Sequence, residues 1–496
     1  MLNQKNYLWS DNAQVQLKGR KIIQVIGTSS DSGKSTITMA LCRALSDLNI
    51  RAYPFKSVNM SLNSISVNGE YEISRSQWLQ AIGARVQPVP EMNPILIKPE
   101  GRMKSQIISL GKSLGKMSYY EYGRFLSERA KPIIRESLDK LLELGDVVIA
   151  EGAGSAAEIN LYERDLANDF VSGIYNTPMI LVSDIERGGA FSSIYGVVKL
   201  MQRPDLLRWI VINKMRGDKS LLGDGIRKIE EMTGKKLIGV VPYLDFTLPG
   251  EDSLDYEKSK LQGTRVCVVR YPYMENYSDV DPFYISGIGI NMIDQRNVND
   301  LKECDVVILP GSKNVEADLR YMRETGIDRL ILDASSEGKK ILGICGGYQM
   351  LGKEIVDKSG VELKNTNIRG LGLLDCKTLY GEKKTVRNVN YRPQNDFFKS
   401  EKGMNGYEIH YGQVTTKEYP AFLIEGQGEG SISADGNIIG TNIHGALEHP
   451  AVLSYILGVK QNFDFMDLVE ENIKMFTKNF TQNTDLTEIL EYIYEE

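Results

Sequence analysis

The stretch from Ile22 to Thr36, IIQVIGTSSDSGKST, most constrains what this chain can fold into. An apolar, β-branched run ends in a loop of small polar residues, and a helical pattern begins at Gly33. In such a unit, loop N–H groups and the positive end of the helix converge on one spot. There Lys34 would meet phosphate charge and Ser35 would offer a hydroxyl to Mg²⁺. The stretch therefore predicts a strand, loop and helix that bind a nucleotide phosphate.

The spacing within this loop is longer than usual. The common pattern has about four residues between the first Gly and the Gly-Lys pair, whereas here Thr28 to Ser32, five residues, separate Gly27 from Gly33. An ordinary turn between strand and helix is the alternative interpretation, but Gly-Lys-Ser-Thr directly after a strand favours phosphate binding. The expected nucleotide-binding residues of the loop are Gly27, Thr28, Asp31, Ser32, Gly33, Lys34, Ser35 and Thr36.

The repeated pattern along the chain indicates an α/β fold. Runs that are apolar on both faces alternate with helical patterns, which is typical of parallel sheets covered by helices. Because 496 residues are too many for one core, we expect two doubly wound, mostly parallel-sheet domains. The predicted organisation is an N-terminal extension over 1–19, a nucleotide-binding domain over 20–258, a second domain over 263–455 and a helical tail over 456–496.

Charge and composition narrow the class of partner. Lys and Arg total 59 against 65 for Asp and Glu, so the net charge is −6 and there is no positive excess to attract nucleic acid or acidic lipid. We therefore expect small-molecule partners, no nucleic acid and no membrane. The first residues, MLNQKNYLWSDNAQ, lack the apolar core of a signal peptide, and no apolar run reaches the length of a membrane span. A cytoplasmic location is expected.

Three other strand ends carry candidate ligand-binding residues. Glu151 ends the apolar run 147–150 and is followed by glycines, which places it to hold the Mg²⁺ of a bound nucleotide. A partner for a helix N-terminus is the alternative role. Lys56 follows an apparent strand and would also neutralise phosphate charge, and Asn213 would read the nucleotide base. The polar stretch 57–118 suits a wall that recognises an acidic ligand, although a surface insertion has the same composition.

Cys345 is the candidate nucleophile. It lies between an apolar strand pattern and a helix pattern, and Gly343, Gly346 and Gly347 permit the sharp turn that lifts such a residue above a sheet. A helix N-terminus also favours the thiolate. Backbone N–H groups of Gly346 and Gly311 would form an oxyanion hole. A buried structural cysteine is the alternative interpretation.

The general base should be a histidine, and His444 is our choice because it sits where a strand pattern ends in a glycine loop. His410, on a probable strand, would orient a group or line the cleft, and His449 would lie at the surface. The cysteines are few, odd in number and scattered, which argues against a disulfide framework or a cysteine-rich zinc site. They are Cys42, Cys267, Cys304, Cys345 and Cys376.

Ten segments occur in the order found in the cobyric acid synthase family, and the chain resembles that family over about residues 20–450. They are GTSSDSGKS, PFKSVNMSLNS, MNPILIKP, EGAGSAAEINL, DIERGGAFSSIYG, NKMRGD, DVVILPGSKN, GICGGYQMLG, GYEIHYG and NIHG. The resemblance implies a first domain similar to dethiobiotin synthetase, which shares the longer loop, and a second domain similar to class I glutamine amidotransferases. It further implies ATP and Mg²⁺ as cofactors, glutamine as nitrogen donor, and a corrin substrate, adenosylcobyrinic acid a,c-diamide, amidated at b, d, e and g.

Two positions depart from related patterns. Many class I glutaminases carry a Glu two residues after the histidine, where this chain has Ala446. The resemblance implies that cobyric acid synthases generally lack that Glu, which leaves the group that orients His444 open. Glu448 is too far along the chain to be assumed as a substitute. The segment 271–282 also differs from the family's usual Pro-Arg-Ile-Ser-Asn before its Asp-Pro.

Two other functions remain as alternatives. The sister enzyme cobyrinic acid a,c-diamide synthase shares both domains, although segments 57–64 and 92–98 favour cobyric acid synthase. A regulatory ATPase of the phosphate-loop class with an inert second domain is the other, and the Thr28 position argues against it because that group has an extra Lys there. The sequence leaves open the order of amidations, the ammonia route, the role of residues 456–496 and whether the chain forms a homo-oligomer.

Overall fold

The structure is a computed structural model that describes residues 21–100, 104–244, 248, 264–358, 360, 362–363 and 367–495. The predicted N-terminal extension over 1–19 and the polar linker before residue 264 lie outside these residues. Residues 21–244 together with the last two helices are called the N-terminal unit below, and residues 264–457 the C-terminal unit.

The N-terminal unit is built from strands that alternate with helices. Its strands are β1 (Lys21–Gly27), β2 (Ala52–Phe55), β3 (Val58–Met60), β4 (Ser64–Val67), β5 (Tyr71–Ser74), β6 (Ile95–Pro99), β7 (Lys104–Ser109), β8 (Lys112–Ser118), β9 (Val147–Glu151), β10 (Met179–Asp184), β11 (Leu207–Met215) and β12 (Lys236–Pro242). Its first helices are α1 (Lys34–Asp47), α2 (Arg75–Ala84), α3 (Tyr119–Phe125), α4 (Lys131–Leu144), α5 (Asp169–Ile174), α6 (Ala190–Leu200) and α7 (Gly223–Thr233).

Within the described residues, six of these strands form one sheet in the order β12-β11-β10-β1-β9-β2, and every neighbouring pair is parallel. Side chains of β1 alternate between faces, so Ile23 and Val25 pack with α1, whereas Ile22 packs with α4. Helices therefore cover both faces. The carboxyl ends of β1, β9 and β11 meet at one edge, which brings the predicted nucleotide residues together.

The C-terminal unit combines a parallel sheet with long antiparallel strands. Its strands are β13 (Val266–Val269), β14 (Met274–Glu275), β15 (Ile290–Ile293), β16 (Val306–Leu309), β17 (Gly311–Ser312), β18 (Lys340–Ile344), β19 (Glu354–Val356), β20 (Asn367–Arg369), β21 (Cys376–Pro393), β22 (Met404–Thr416), β23 (Phe422–Ile424), β24 (Gln427–Glu429), β25 (Ser431–Ile432) and β26 (Ile438–Thr441). Its helices are α8 (Asp281–Ile285), α9 (Val315–Thr325), α10 (Ile327–Ser336), α11 (Gly346–Leu351) and α12 (Pro450–Leu457).

The second main sheet has, among the described residues, six strands in the order β15-β13-β16-β18-β26-β25, all parallel except the β26–β25 pair. The predicted α/β class with two doubly wound, mostly parallel sheets is thus confirmed. A separate sheet carries the long antiparallel pair β21 and β22, which the sequence did not predict. Cys267 on β13 and Cys304 before β16 form a disulfide, with Cα atoms 5.8 Å apart. The cysteine pattern had not indicated this pairing.

The chain finally returns to the N-terminal unit through α13 (Phe465–Asn483) and α14 (Thr487–Tyr494). Phe465, Val469 and Ile473 are buried in the same cluster as α1. Arg43 on α1 forms a 2.5 Å ion pair with Glu470 on α13. These helices are part of a core, because apolar side chains spaced four apart cover the face of the first sheet.

The polar stretch 57–118 is the part of the N-terminal unit that contacts β22 of the C-terminal unit. It forms β3 to β8 and α2, with one sheet in the order β3-β6-β7-β8 and a β4–β5 hairpin. Ile65 and Ile73 of the hairpin pack against Tyr407 and Ile409 of β22 in a small apolar cluster. No helix among the described residues is long and apolar enough to cross a membrane.

Candidate active sites

The loop between β1 and α1 is compact, and its residues pack closely against one another. Gly33 caps α1 with a φ of 94°, and Asp31 has a φ of 57°. A Cβ at Gly27 would lie 2.5 Å from Ser32 Oγ and 2.9 Å from Lys34 Nζ. Gly33 supplies the left-handed backbone and Gly27 permits the close approach of Ser32 and Lys34, so the loop N–H groups stay open to a ligand.

Polar side chains of the loop face its centre. Lys34 Nζ donates to the carbonyl oxygens of Ser29 at 2.8 Å and Gly154 at 3.0 Å. Thr28 Oγ1 donates to Ser183 Oγ at 3.3 Å. Thr36 is half-buried in the first turn of α1. Polar groups from α1, from β10 and from the loops after β1 and β9 thus surround one spot at the N-terminus of a helix.

Glu151, at the end of β9, accepts hydrogen bonds from three side chains of the site. Its Oε1 accepts hydrogen bonds from Ser35 Oγ at 2.7 Å and Lys56 Nζ at 2.8 Å, and its Oε2 accepts one from Gln80 Nε2 at 2.5 Å. Burial would raise the pKa of Glu151, but the charge of Lys56 and these hydrogen bonds hold the pKa below its usual value. The carboxylate is therefore charged. Gln80, on α2, had no signal in the sequence.

The residues present fit a nucleotide phosphate with Mg²⁺. Within the described residues, Ser32 Oγ is buried and finds no hydrogen-bond partner, so the loop keeps a donor for a phosphate oxygen. Ser35 and the charged Glu151 offer the oxygen ligands that Mg²⁺ prefers, and Mg²⁺ commonly needs only one or two protein ligands beside phosphate oxygens. Among the described residues, no group of three or more His, Cys, Asp or Glu side chains could hold a metal ion.

Asn213 supports the loop directly. Its Nδ2 donates to Ser32 O at 3.1 Å, and a Cβ at Gly33 would lie 2.0 Å from that nitrogen. The amide thus fixes the loop, and base recognition by Asn213 stays a prediction. The next residue, Lys214, has a φ of 60° and donates to Asp31 O at 2.8 Å and to Asp184 Oδ2 at 3.0 Å. Lys214 therefore ties the loop to β10.

Cys345 occupies a strained turn between β18 and α11. Its φ of 50° and ψ of −110° are unusual for a residue with a side chain. The turn requires glycine at positions 343 and 347. A Cβ at Gly343 would lie 2.7 Å from Gly347 O, and one at Gly347 would lie 1.9 Å from Leu309 O. Cys345 N donates to Thr441 O at 2.8 Å, and the thiol contacts Ile409 O at 3.6 Å. The geometry is that of a nucleophile presented above a sheet.

His444 is fully buried beside Cys345 and is oriented by Asp279. Its Nδ1 lies 2.7 Å from Asp279 Oδ2, Gly445 N donates to Asp279 Oδ1 at 2.9 Å, and the ring of Tyr407 stacks on the imidazole at 5.0 Å. Burial opposes the imidazolium, but the charge and hydrogen bond of Asp279, with a hydrogen bond from Cys345, raise the pKa of His444 to about 10. The arrangement is a Cys–His–Asp series.

The predicted oxyanion-hole residues lie next to these groups. A Cβ at Gly346 would be 2.6 Å from Ser312 N, and one at Gly311 would be 3.8 Å from His444 Cε1. Gly346 is the first residue of α11, whose opening N–H groups lack partners within the helix. The structure therefore brings Gly311, Gly346, Cys345 and His444 together, and their roles remain predictions.

The other two histidines differ in position. His410 lines a pocket with Cys345, and burial lowers the pKa of its imidazole, which favours the neutral form. His449 was expected at the surface, but it is buried and its Nδ1 accepts from Ala451 N at 3.1 Å. It caps α12, and a buried cap satisfies the helix N–H groups where water is excluded.

The pocket at Cys345 opens onto a buried ionic cluster between the two units, called the interface cluster below. Lys98 Nζ lies 2.5 Å from Glu72 Oε1 and 2.5 Å from Glu275 Oε1, and Lys384 lies 2.8 Å from Glu72 Oε2. Lys313 lies 3.2 Å from a Glu100 oxygen. Each unit supplies both signs of charge, so the two units satisfy each other's buried ions.

Sequence reasoning missed Asp279 as well as Gln80. Asp279 lies within the segment 271–282 that departs from the family pattern, so its contact with His444 was not predicted. Glu448 instead pairs with Arg75 of the N-terminal unit at 3.1 Å. The available signal was the Asp281-Pro282 pair, which matches the family's Asp-Pro element and lies two residues after Asp279.

Comparisons with known proteins match both parts of the chain to family models. Residues 23–252 match the family model of the CobQ/CobB/MinD/ParA nucleotide binding domain, and residues 265–452 match that of the CobB/CobQ-like glutamine amidotransferase domain. Among solved structures, PurLQS from Thermotoga maritima has 20% identity and a TM-score of 0.30, covering 40% of this chain and 99% of that one. That TM-score is too low to support any argument.

Curated relatives are similar over most of their length. Probable cobyric acid synthases from Picrophilus torridus and Thermoplasma acidophilum are 51% and 50% identical, and both alignments cover 95% of this chain and 99% of the relative. A cobyric acid synthase from Limosilactobacillus reuteri is 40% identical over 87% of this chain and 88% of its own. The family resemblance read from the ten segments is confirmed: the chain belongs to the cobyric acid synthase family and is a glutamine-dependent amidoligase.

Proposed function

We propose that this protein uses ATP and glutamine to amidate the b, d, e and g carboxylates of adenosylcobyrinic acid a,c-diamide, which gives cobyric acid. The observation that carries the proposal is the presence, in one chain, of the Glu151 phosphate site and the Cys345–His444–Asp279 series. The relatives named cobyric acid synthase supply the substrate class.

The first site would activate the acceptor. A carboxylate resists attack by ammonia because its carbonyl carbon shares a negative charge, so transfer of the γ-phosphoryl group must first convert it to an acyl phosphate. Lys34 and Lys56 would neutralise charge on the transferring group. Ser35 and Glu151 would hold Mg²⁺, which supplies further charge neutralisation when bound. Glu151 also positions Lys56, since the two groups are hydrogen-bonded.

The second site would release ammonia. Cys345 Sγ attacks the side-chain amide carbon of glutamine while His444 takes the thiol proton, and the N–H groups of Gly311 and Gly346 would bind the oxyanion. His444 then gives the proton to the leaving nitrogen, and a glutamyl thioester remains. Water hydrolyses the thioester to glutamate and restores the thiol. Asp279 keeps Nδ1 of His444 protonated, so that Nε2 faces the chemistry.

The pocket around Cys345 suits the zwitterionic head of glutamine. Lys313 and Lys384 would meet its carboxylate, and Glu275 would meet its ammonium, because all three line the pocket. The ammonia released at Cys345 would pass between the units to the acyl phosphate without mixing with bulk solvent, in keeping with the buried contacts between them.

The test is substrate choice. With glutamine, ATP and Mg²⁺, the protein should convert the a,c-diamide to the product amidated at b, d, e and g, observed by mass spectrometry. Turnover of cobyrinic acid at a and c would identify the sister activity instead. No product from either corrin, with glutamine or with ammonium, would contradict the amidation proposal.

A further inference from the structure

A cavity of about 680 Å³ lies between the two units, apart from both active sites. Residues 60–62 of the N-terminal unit form one wall, and Arg270, Met274 and Tyr277 of the C-terminal unit belong to the other. Of the described residues that line the cavity, none has been placed in the phosphate site or beside Cys345. Its volume falls within the roughly 300–1,000 Å³ that small-molecule sites occupy, so the cavity is large enough for a ligand.

Both walls of the cavity continue into the active sites. Lys56 of the phosphate site precedes Met60 by four residues, which span no more than about 14 Å of chain. On the other wall, Met274 and Glu275 form β14, and successive side chains of a strand point to opposite faces. Met274 therefore faces the cavity, whereas Glu275 faces the Cys345 pocket. The acceptor of amidation must meet both a phosphoryl group and ammonia, and the cavity lies where both can reach it.

The cavity contains a guanidinium that the protein itself does not pair. Among the described residues, the half-buried Arg270 side chain makes no hydrogen bond or ion pair, and only its backbone N–H donates, to Ile293 O at 2.8 Å. Asp294 pairs with Arg296 at 2.5 Å and feels Arg270 only through its charge. Two positive and one negative side chain among the described lining residues leave a net charge of +1. An acidic ligand is therefore favoured, since a free guanidinium matches a carboxylate in shape and charge.

The rest of the lining is largely apolar. Met60 is 59% exposed, whereas Tyr271 and Tyr277 are buried. The hydroxyl of Tyr271 donates to Pro310 O, so this polar end is already satisfied within the protein. Thioether side chains adapt to irregular ligand surfaces, and aromatic rings supply rigid apolar area. A corrin has a methyl-bearing, apolar macrocycle with acid side chains around its rim, so it needs such a wall together with a cation.

We propose that this cavity binds the rim of the corrin substrate, with the Arg270 guanidinium against a carboxylate other than the one being activated near Lys56. The proposal rests on the proposed function and adds the place where the acceptor is held. When one carboxylate lies at the phosphate site, the macrocycle carries the others away from it, and the wall from Lys56 to Met60 provides the reach. Arg270 can meet a different carboxylate for each group that is presented for amidation.

The test measures the corrin KM with ammonium as nitrogen source, so that glutamine hydrolysis does not contribute. Loss of one charge-assisted contact should raise this KM about tenfold to a hundredfold in Arg270→Gln, while kcat at saturating corrin stays within about threefold of wild type. Met60→Asp adds a carboxylate at an exposed position of the wall and should also raise the corrin KM, because like charges repel. Arg320→Gln is the matched control, since its exposed guanidinium pairs with Glu324 and does not line the cavity.

Binding of the a,c-diamide without ATP, measured by equilibrium dialysis, is a readout independent of turnover. The Kd should rise in Arg270→Gln and in Met60→Asp by the same factors as the corrin KM, and Arg320→Gln should bind as wild type does. The urea midpoint of Arg270→Gln should equal that of wild type, because no ion pair among the described residues is lost. A weaker Kd at an unchanged midpoint therefore reports on the ligand and not on folding.

A corrin KM and a Kd in Arg270→Gln within about twofold of those of Arg320→Gln would overturn the proposal. So would a raised KM for ATP with an unchanged corrin KM, which would assign the cavity to the nucleotide. A wild type that neither binds nor amidates the corrin would instead contradict the proposed function, so the two failures are distinguishable.

Discussion

Replacing Asp279 by Asn tests the assignment of the group that orients His444. In the structure, the carboxylate accepts from two donors, His444 Nδ1 at 2.7 Å and Gly445 N at 2.9 Å. An amide has only one oxygen, so one of these donors would face an N–H group instead. The imidazole of Asp279→Asn should therefore turn or adopt the wrong tautomer.

The size of the effect follows from the pKa of His444. Burial alone would lower it, yet Asp279 and Cys345 raise it from 6.5 to about 10. One pKa unit corresponds to about 1.4 kcal/mol, so this rise is a net stabilisation of the imidazolium by roughly 5 kcal/mol, with the opposing effect of burial included. We expect loss of Asp279 to lower glutamine-dependent kcat on the order of 10²- to 10⁴-fold.

The assay compares glutamine-dependent with ammonium-dependent amidation by the same variant. Asp279→Asn should keep ammonium use, since the ATP site is untouched. Glu448→Gln is the matched control, because Glu448 pairs with Arg75 rather than with His444. A variant with glutamine-dependent kcat within about threefold of wild type would refute the orienting role, and so would a Glu448→Gln defect as large as that of Asp279→Asn.

Three other changes have defined outcomes. Glu151→Gln should abolish ATP-dependent amidation with either nitrogen source while glutaminase activity persists, and it should lower the free energy of unfolding by about 3–5 kcal/mol because Lys56 loses its buried counter-ion. The double variant Glu151→Gln/Lys56→Met should recover part of that stability in urea denaturation. Lys98→Met should cost a similar 3–5 kcal/mol, since Glu275 loses its 2.5 Å ion pair and Glu72 keeps only that with Lys384. An unchanged midpoint would count against the interface cluster as a stabilising contact. Because the pKa of His444 is raised, its ionisation stabilises the fold fully below about pH 6.5, and that contribution is lost as pH rises towards about 10. The difference in unfolding free energy between wild type and His444→Gln should shrink over this window, and a constant difference would be inconsistent with the shift.

The features that the sequence predicted well are local ones. The phosphate loop and the Cys345 turn are each formed by adjacent residues. Glycine is required in them because a side chain would clash: a Cβ at Gly347 would lie only 1.9 Å from Leu309 O. Such constraints act within a few residues, so they are visible as motifs. The apolar runs likewise predicted the parallel sheets, because strands buried on both faces must be apolar throughout.

The features that the sequence did not predict are contacts between residues far apart in the chain. Asp279 and His444 are 165 positions apart, and Gln80 and Glu151 are 71 apart. Pairing of this kind is decided by how helices and sheets pack, which local pattern does not encode. Helix α13 is a similar case. Its apolar stripe predicts that one face is buried, but not that this face packs on the first sheet.

The most direct test of two cooperating sites in one chain uses Cys345→Ala and Lys34→Ala, assayed for corrin amidation with glutamine and with ammonium. Cys345→Ala should lose amidation with glutamine and keep it with ammonium. Lys34→Ala should lose amidation with both nitrogen sources and still hydrolyse glutamine. Amidation by Cys345→Ala with glutamine at the wild-type rate, or its loss with ammonium as well, would contradict the account.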